Sequence, residues 1–180
     1  MDDRRNFVSH AITGAGMAWI AANWPAAAKA AEMARANGGG FTYFTPQQAG
    51  EIDAISAQII PTTDTPGARE AQVVYFIDLA LVSFAADEQP TYQRGFEELQ
   101  AKVMAMFPSA ASIAALTSDQ QIQLLTAIED TPFFRAVRSH TVMGMFSSPQ
   151  HGGNFNKAGW KLIGFDDSLN FKAPFGAYDR

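Results

Sequence analysis

The 180-residue chain has no cysteine. That absence removes disulfides, iron–sulfur clusters, covalently attached haem, thiolate zinc sites and any thiol nucleophile. Positive charge is also scarce: 13 Lys and Arg stand against 18 Asp and Glu, for a formal charge of -5. The basic residues are scattered rather than clustered, which gives no support to nucleic-acid binding. There is no Gly-x-Ser-x-Gly elbow, no His-Glu-x-x-His pair, no Gly-x-Gly-x-x-Gly turn and no phosphate-loop lysine. A dinucleotide-binding domain therefore has no place in the chain, and flavin or nicotinamide would have to be carried elsewhere. Alternation at period two never persists, so strands are not expected. A membrane-spanning run is missing as well, because His10, Thr13, Gly14, Gly16 and Asn23 interrupt the one apolar stretch of suitable length.

That stretch reads instead as part of an export signal over residues 1–30. Arg4 and Arg5 form its charged start, residues 7–24 a modestly apolar run, Pro25 a break, and Ala28-Lys29-Ala30 a cleavage site after Ala30. The order Arg4-Arg5-Asn6-Phe7-Val8 resembles the twin-arginine signal, whose route carries proteins already folded, often with a cofactor or a partner. An ordinary amphipathic first helix with two solvated arginines is the alternative. Cleavage would remove Arg4, Arg5 and Lys29 from the 13 basic residues and Asp2 and Asp3 from the 18 acidic ones, leaving 10 and 16 and a charge of -6. Residues 31–40, ending Asn37-Gly38-Gly39-Gly40, read as a flexible linker. Residues 41–180 form the domain.

Five helices are expected in it. Thr45-Pro46-Gln47-Gln48 combines an N-cap, a proline at the first helical position and a capping-box glutamine; Ile52, Ile55 and Ile59 then mark one apolar face until Pro61. Pro66-Gly67 predicts a tight turn with glycine at positive φ, and Asp64 beside it an Asx turn. A helix over about 70–86 should bury Val73, Phe76, Ile77, Ala80, Leu81 and Phe84, and one from Gln89-Pro90 to about Phe107 should bury Tyr92, Phe96, Leu99 and Val103. Thr117-Ser118-Asp119-Gln120 repeats the capping box before Ile122, Leu125 and Ile128. Thr131-Pro132 opens the last helix, with Phe134, Val137, Arg138 and Val142. The fold class is all-α, a single domain of about five helices.

From Phe146 onward the helical rhythm stops. Phe146, Phe155, Trp160, Phe165, Phe171, Phe175 and Tyr178 are spread through a glycine-rich segment that is too aromatic for simple disorder and must pack against something. Within it, Gly152 and Gly153 permit backbone angles closed to other residues, and Asn154 tolerates the left-handed region while its amide bonds nearby backbone. His151, Phe155 and Trp160 supply groups that bind surfaces, although Trp160 reads equally well as core. Other titratable groups have plain readings. Ser139 and His140 are adjacent on a helix and point about 100° apart, so they make no nucleophile–base pair. His140 reads as structural, bonded through one ring nitrogen to backbone, and Glu97-Glu98 and Asp166-Asp167 as solvated acids.

Several motifs in order resemble one family. They are the helix from Thr45 to Ile60 before Pro61, the connector Asp64-Thr65-Pro66-Gly67-Ala68, the aromatic helix starting near Val73, Gly144-Met145-Phe146, Pro149-Gln150-His151-Gly152-Gly153-Asn154, and Gly159-Trp160. Together they resemble the gluconate 2-dehydrogenase subunit 3 family over about residues 41–170. The resemblance implies a small subunit without its own cofactor, catalytic residues or metal. It would be the partner of a large FAD-dependent dehydrogenase of the glucose-methanol-choline type, acting on sugars, sugar acids or polyols. A membrane-attached multihaem cytochrome c would accept the electrons, and the complex would lie in the periplasm. Pro149, His151, Gly152, Gly153, Asn154, Phe155 and Trp160 would shape part of the docking contact. His151 stands where the family pattern has tyrosine, so the substrate branch stays open. The alternative is a free-standing periplasmic helical protein that binds a small ligand.

Overall fold

The computed structural model describes residues 40–167. The signal segment with Arg4, Arg5 and Phe7, the linker up to residue 39, and the tail from residue 168 lie outside the described residues. Among the described residues there are six α-helices and no strand. They are α1 (Pro46–Ile59), α2 (Val73–Leu81), α3 (Gln89–Met106), α4 (Ser118–Thr126), α5 (Pro132–Phe146) and α6 (Ala158–Leu162), with short 3-10 turns between them. No helix among them is long and apolar enough to cross a membrane.

Local chemistry sets the helix starts. Thr45 and Thr117 each form a complete capping box, with Gln48 and Gln120 respectively, and the Thr131 side chain accepts from Phe134 N–H. Each such cap satisfies donors that a helix start otherwise leaves unpaired. Helix α2 is shorter than its periodicity predicts. Gln72 before it is left-handed at φ 53°, which breaks the helical run, and after it the Gln89 side chain takes the Leu81 carbonyl at 2.6 Å. The turn at Pro66-Gly67 also differs from expectation: Gly67 is not at positive φ. Glycine is needed there for space, since a Cβ would sit 2.5 Å from the Ile60 carbonyl oxygen. Glu70, rather than an Asx turn at Asp64, ties this connector together by accepting from Thr62 Oγ1 and Gly67 N–H.

Helix α2 is the centre, with eight of its nine residues buried. A helix that is apolar on nearly every side belongs in the interior. Helix α5 packs along α2 and also touches α1, α3 and α6. An aromatic cluster of Phe44, Tyr92, Phe96 and Phe133, with ring centroids 5.5–6.4 Å apart, fills the space between α3, α5 and the chain entering α1. Along α4 and α5 the expected stripe is met in part: Leu125, Ile128 and Val137 are buried as expected, but its other members are not all in the core. Leu124, Leu125, Phe133 and Val137 face the core, while Ile122 and Val142 are exposed. Neighbouring apolar positions make either stripe possible in sequence, and the long-range packing selects between them.

Candidate functional site

The segment after α5 is a compact folded loop. Pro149–His151 form a 3-10 turn, and Gly152 at φ 99° reverses the chain. Gly153 then passes so close to the Gly144 carbonyl that no Cβ could be accommodated. Asn154 is fully buried and left-handed, at φ 46° and ψ 39°. Its Nδ2 donates to the Ser147 carbonyl and its Oδ1 accepts from Gly159 N–H, both at 2.8 Å. The loop is therefore held by one amide side chain that bridges its beginning and its end. Phe155 N–H donates to the Ala71 carbonyl at 3.0 Å, tying the loop to the entrance of α2. Asn156 and Lys157 are also left-handed, which non-glycine residues adopt at roughly 1–2 kcal/mol each.

This geometry sorts the residues that sequence had grouped. Gly152, Gly153 and Asn154 are buried and shape the loop; Pro149, His151 and Trp160 are half-buried; Phe155 is exposed. Burial holds the His151 imidazole below the ordinary histidine value, so the ring is neutral at neutral pH. Trp160 is neither fully core nor fully surface: its Nε1 donates to the Phe146 carbonyl at 2.8 Å while part of the ring faces solvent.

Beyond Trp160 the structure shows an element that the sequence reading missed. Helix α6 ends at Leu162, and Gly164 is left-handed at φ 67°. Phe165 N–H donates to the Trp160 carbonyl at 2.8 Å and Gly164 N–H to the Lys161 carbonyl at 3.3 Å. These two bonds make a Schellman motif, and its usual apolar contact is the Trp160–Phe165 pair, ring centroids 5.0 Å apart. The signal was present as Trp160-Lys161-Leu162-Ile163-Gly164-Phe165, a glycine just past a short apolar helix. Lys157 Nζ meets the Asp167 carboxylate at 2.7 Å and closes the far side of the turn.

His140 is buried and structural, but its partners are side chains instead of backbone. Tyr92 Oη lies 2.8 Å from Nδ1, and Glu88 Oε1 lies 3.7 Å from Nε2. Burial lowers the His140 value and Glu88 opposes that shift; burial raises the Tyr92 value well above normal. Ser139, next to it, is exposed, as expected for its helical position. Asp78 is a buried carboxylate the sequence reading did not single out. It accepts N–H bonds from Thr42, Tyr43 and Phe44 at 2.7–2.9 Å, and so fixes the start of the domain on α2. Glu97 and Glu98 are solvated, and Asp167 is the acid of its pair held by Lys157. Among the described residues no group of three or more His, Asp or Glu is placed to hold a metal ion.

A groove of about 260 Å³ between α1, α4 and α5 is lined by Ile59, Ile122, Leu125, Phe134 and Arg138 among others. It is smaller than the ~300–1,000 Å³ usual for small-molecule sites and lies on elements other than the loop. A family model described as gluconate 2-dehydrogenase subunit 3 matches residues 46–167. No curated protein and no solved structure matches the chain.

Proposed function

Because the chain belongs to the gluconate 2-dehydrogenase subunit 3 family, we propose that it is the non-catalytic small subunit of an FAD-dependent sugar, sugar-acid or polyol dehydrogenase. The observation that carries this reading is the family match across residues 46–167, which spans every helix described. In this reading the FAD belongs to a large partner subunit of the glucose-methanol-choline type, and a membrane-attached cytochrome c with haem takes the electrons onward. The twin-arginine pattern at Arg4, Arg5 and Phe7 supports export to the periplasm in folded form, with the flavoprotein carried along.

The loop supports the same role from the physical side. Its hydrogen bonds are spent on holding a fixed shape, and that shape leaves Phe155 exposed and Trp160 half-buried. A pre-shaped surface loses little freedom on binding, which suits a stable subunit contact. A tagged chain isolated from the periplasmic or membrane fraction should bring down a larger protein with flavin absorbance. Repeated isolation as a bare monomer overturns the proposal.

A further inference from the structure

The end of α6 leaves three large apolar side chains in solvent within four residues: Leu162 is 41%, Ile163 60% and Phe165 53% exposed. Half-buried Trp160 joins them, its ring centroid 5.0 Å from that of Phe165. The backbone under this ridge is held by the Schellman turn and by the Lys157–Asp167 bridge. Directly after that bridge the chain continues as Ser-Leu-Asn-Phe-Lys-Ala-Pro-Phe-Gly-Ala-Tyr-Asp-Arg, residues 168–180. Among these thirteen only Lys172, Asp179 and Arg180 carry charge, while Leu169, Phe171, Phe175 and Tyr178 carry large apolar or aromatic side chains. Leu169, Phe171 and Phe175 fall at even spacings, so an extended chain projects all three to one side.

We propose that residues 168–180 fold back on this ridge, with Phe171 and Phe175 seated against Leu162, Ile163 and Phe165. Reach permits it: Leu162 and Asp167, five residues apart, are separated by at most ~18 Å, and the eight residues from Asp167 to Phe175 extend to ~28 Å. Tethering favours the tail over a separate molecule, because a segment on so short a connection faces the ridge at an effective concentration on the order of millimolar. A second copy of the chain or another protein has to displace it from there. The contact sets apolar against apolar surface, and the tail brings few charges that resist leaving water. The clasp also bears on the glycine loop, since Gly159 near the start of α6 donates its N–H to Asn154 Oδ1. It concerns this chain alone and stands or falls independently of the small-subunit reading.

The experiment compares the full-length chain, wild type and with Phe171→Asp and Phe175→Asp together, across a range of protein concentrations and at a temperature where both are folded. Carbene photolabelling reads the exposure of Leu162, Ile163 and Phe165, with Met104 on α3, 61% exposed, as the reference. Wild-type ridge labelling should be low beside that of Met104 and should rise roughly threefold or more in the double variant, whose carboxylates cannot sit on an apolar surface, while Met104 labelling stays the same. The lack of cysteine adds a second readout, because any disulfide is then an introduced one. Under mild oxidation, Ile163→Cys combined with Phe171→Cys or Phe175→Cys should close a bond within one chain, and Met104→Cys combined with either should not. Equal ridge labelling in wild type and double variant, or Ile163 pairs that close no more readily than the Met104 pairs, overturns the proposal. So does a ridge protected only in a concentration-dependent dimer, which assigns the cover to a second copy, or only when another protein co-isolates, which assigns it to that partner.

Discussion

The Tyr92 hydroxyl lies 2.8 Å from Nδ1 of His140, and the two rings stack 5.9 Å apart at an interplanar angle of 16°. They lie 48 positions apart in sequence. The pair joins α3 to α5 in the interior, with Glu88 at its outer end. Replacing Tyr92 with Phe leaves Nδ1 buried without that partner and is expected to destabilise the domain by about 1–3 kcal/mol in urea denaturation.

The same pair predicts an acid response. His140 sits below its ordinary value of 6.5, chiefly through burial, so the folded state takes up a proton less readily than the unfolded one. Its contribution to stability is fully present above 6.5 and is lost as pH falls from there toward the folded value. Melting temperature should therefore decline as pH is lowered from about 7 to 5, and His140→Gln should flatten that slope. An unchanged slope assigns the response to His151, whose burial shifts it in the same direction.

Asp78 is predicted to be one of the most sensitive positions. Asp78→Ala removes the acceptor of three backbone N–H groups and should cost about 3 kcal/mol or more. Amide exchange at Thr42, Tyr43 and Phe44 would rise more than exchange across α3, which reports whether the effect begins at this anchor.

Two substitutions at Asn154 separate backbone strain from hydrogen bonding. Asn154→Gly keeps the left-handed conformation but loses the bonds to Ser147 and Gly159, while Asn154→Ala loses both. Alanine should be worse than glycine by about 1 kcal/mol, and both less stable than wild type by calorimetry.

Glycine positions should rank by space. Gly153→Ala drives a Cβ into the Gly144 backbone and is expected to cost about 3 kcal/mol or more, whereas Gly164→Ala meets open space and should cost only about 1 kcal/mol for its positive φ. Equal losses would show that the loop can shift to relieve the contact.

What could be read beforehand was local. The caps at Thr45, Thr117 and Thr131 need only residues three positions apart, and Gly152 with Asn154 signals its own backbone angles. The family pattern carried across most of the domain for the same reason, since its motifs are short and ordered. What escaped was set by distant chain. The pairing of Asp78 with residues 42–44 and of His140 with Tyr92 joins residues more than thirty positions apart, and no spacing rule reaches that far. The exposed Ile122 and Val142 show the same limit, because helical spacing alone does not tell which of two apolar stripes meets a neighbour. The α6 turn was different: its glycine and flanking apolar residues were legible, and the aromatic, glycine-rich surroundings masked them.

The anchor at Asp78 also sets how the domain carries mechanical load. Residues 42–44 hang from a carboxylate on the most enclosed helix, so tension applied to the chain ahead of them arrives at α2 directly instead of peeling an outer helix away. From residue 40 to the interior the force path is a few residues long. Pulled by its front, the folded unit should yield as a whole, and in single-molecule extension Asp78→Asn should lower the force at which it does.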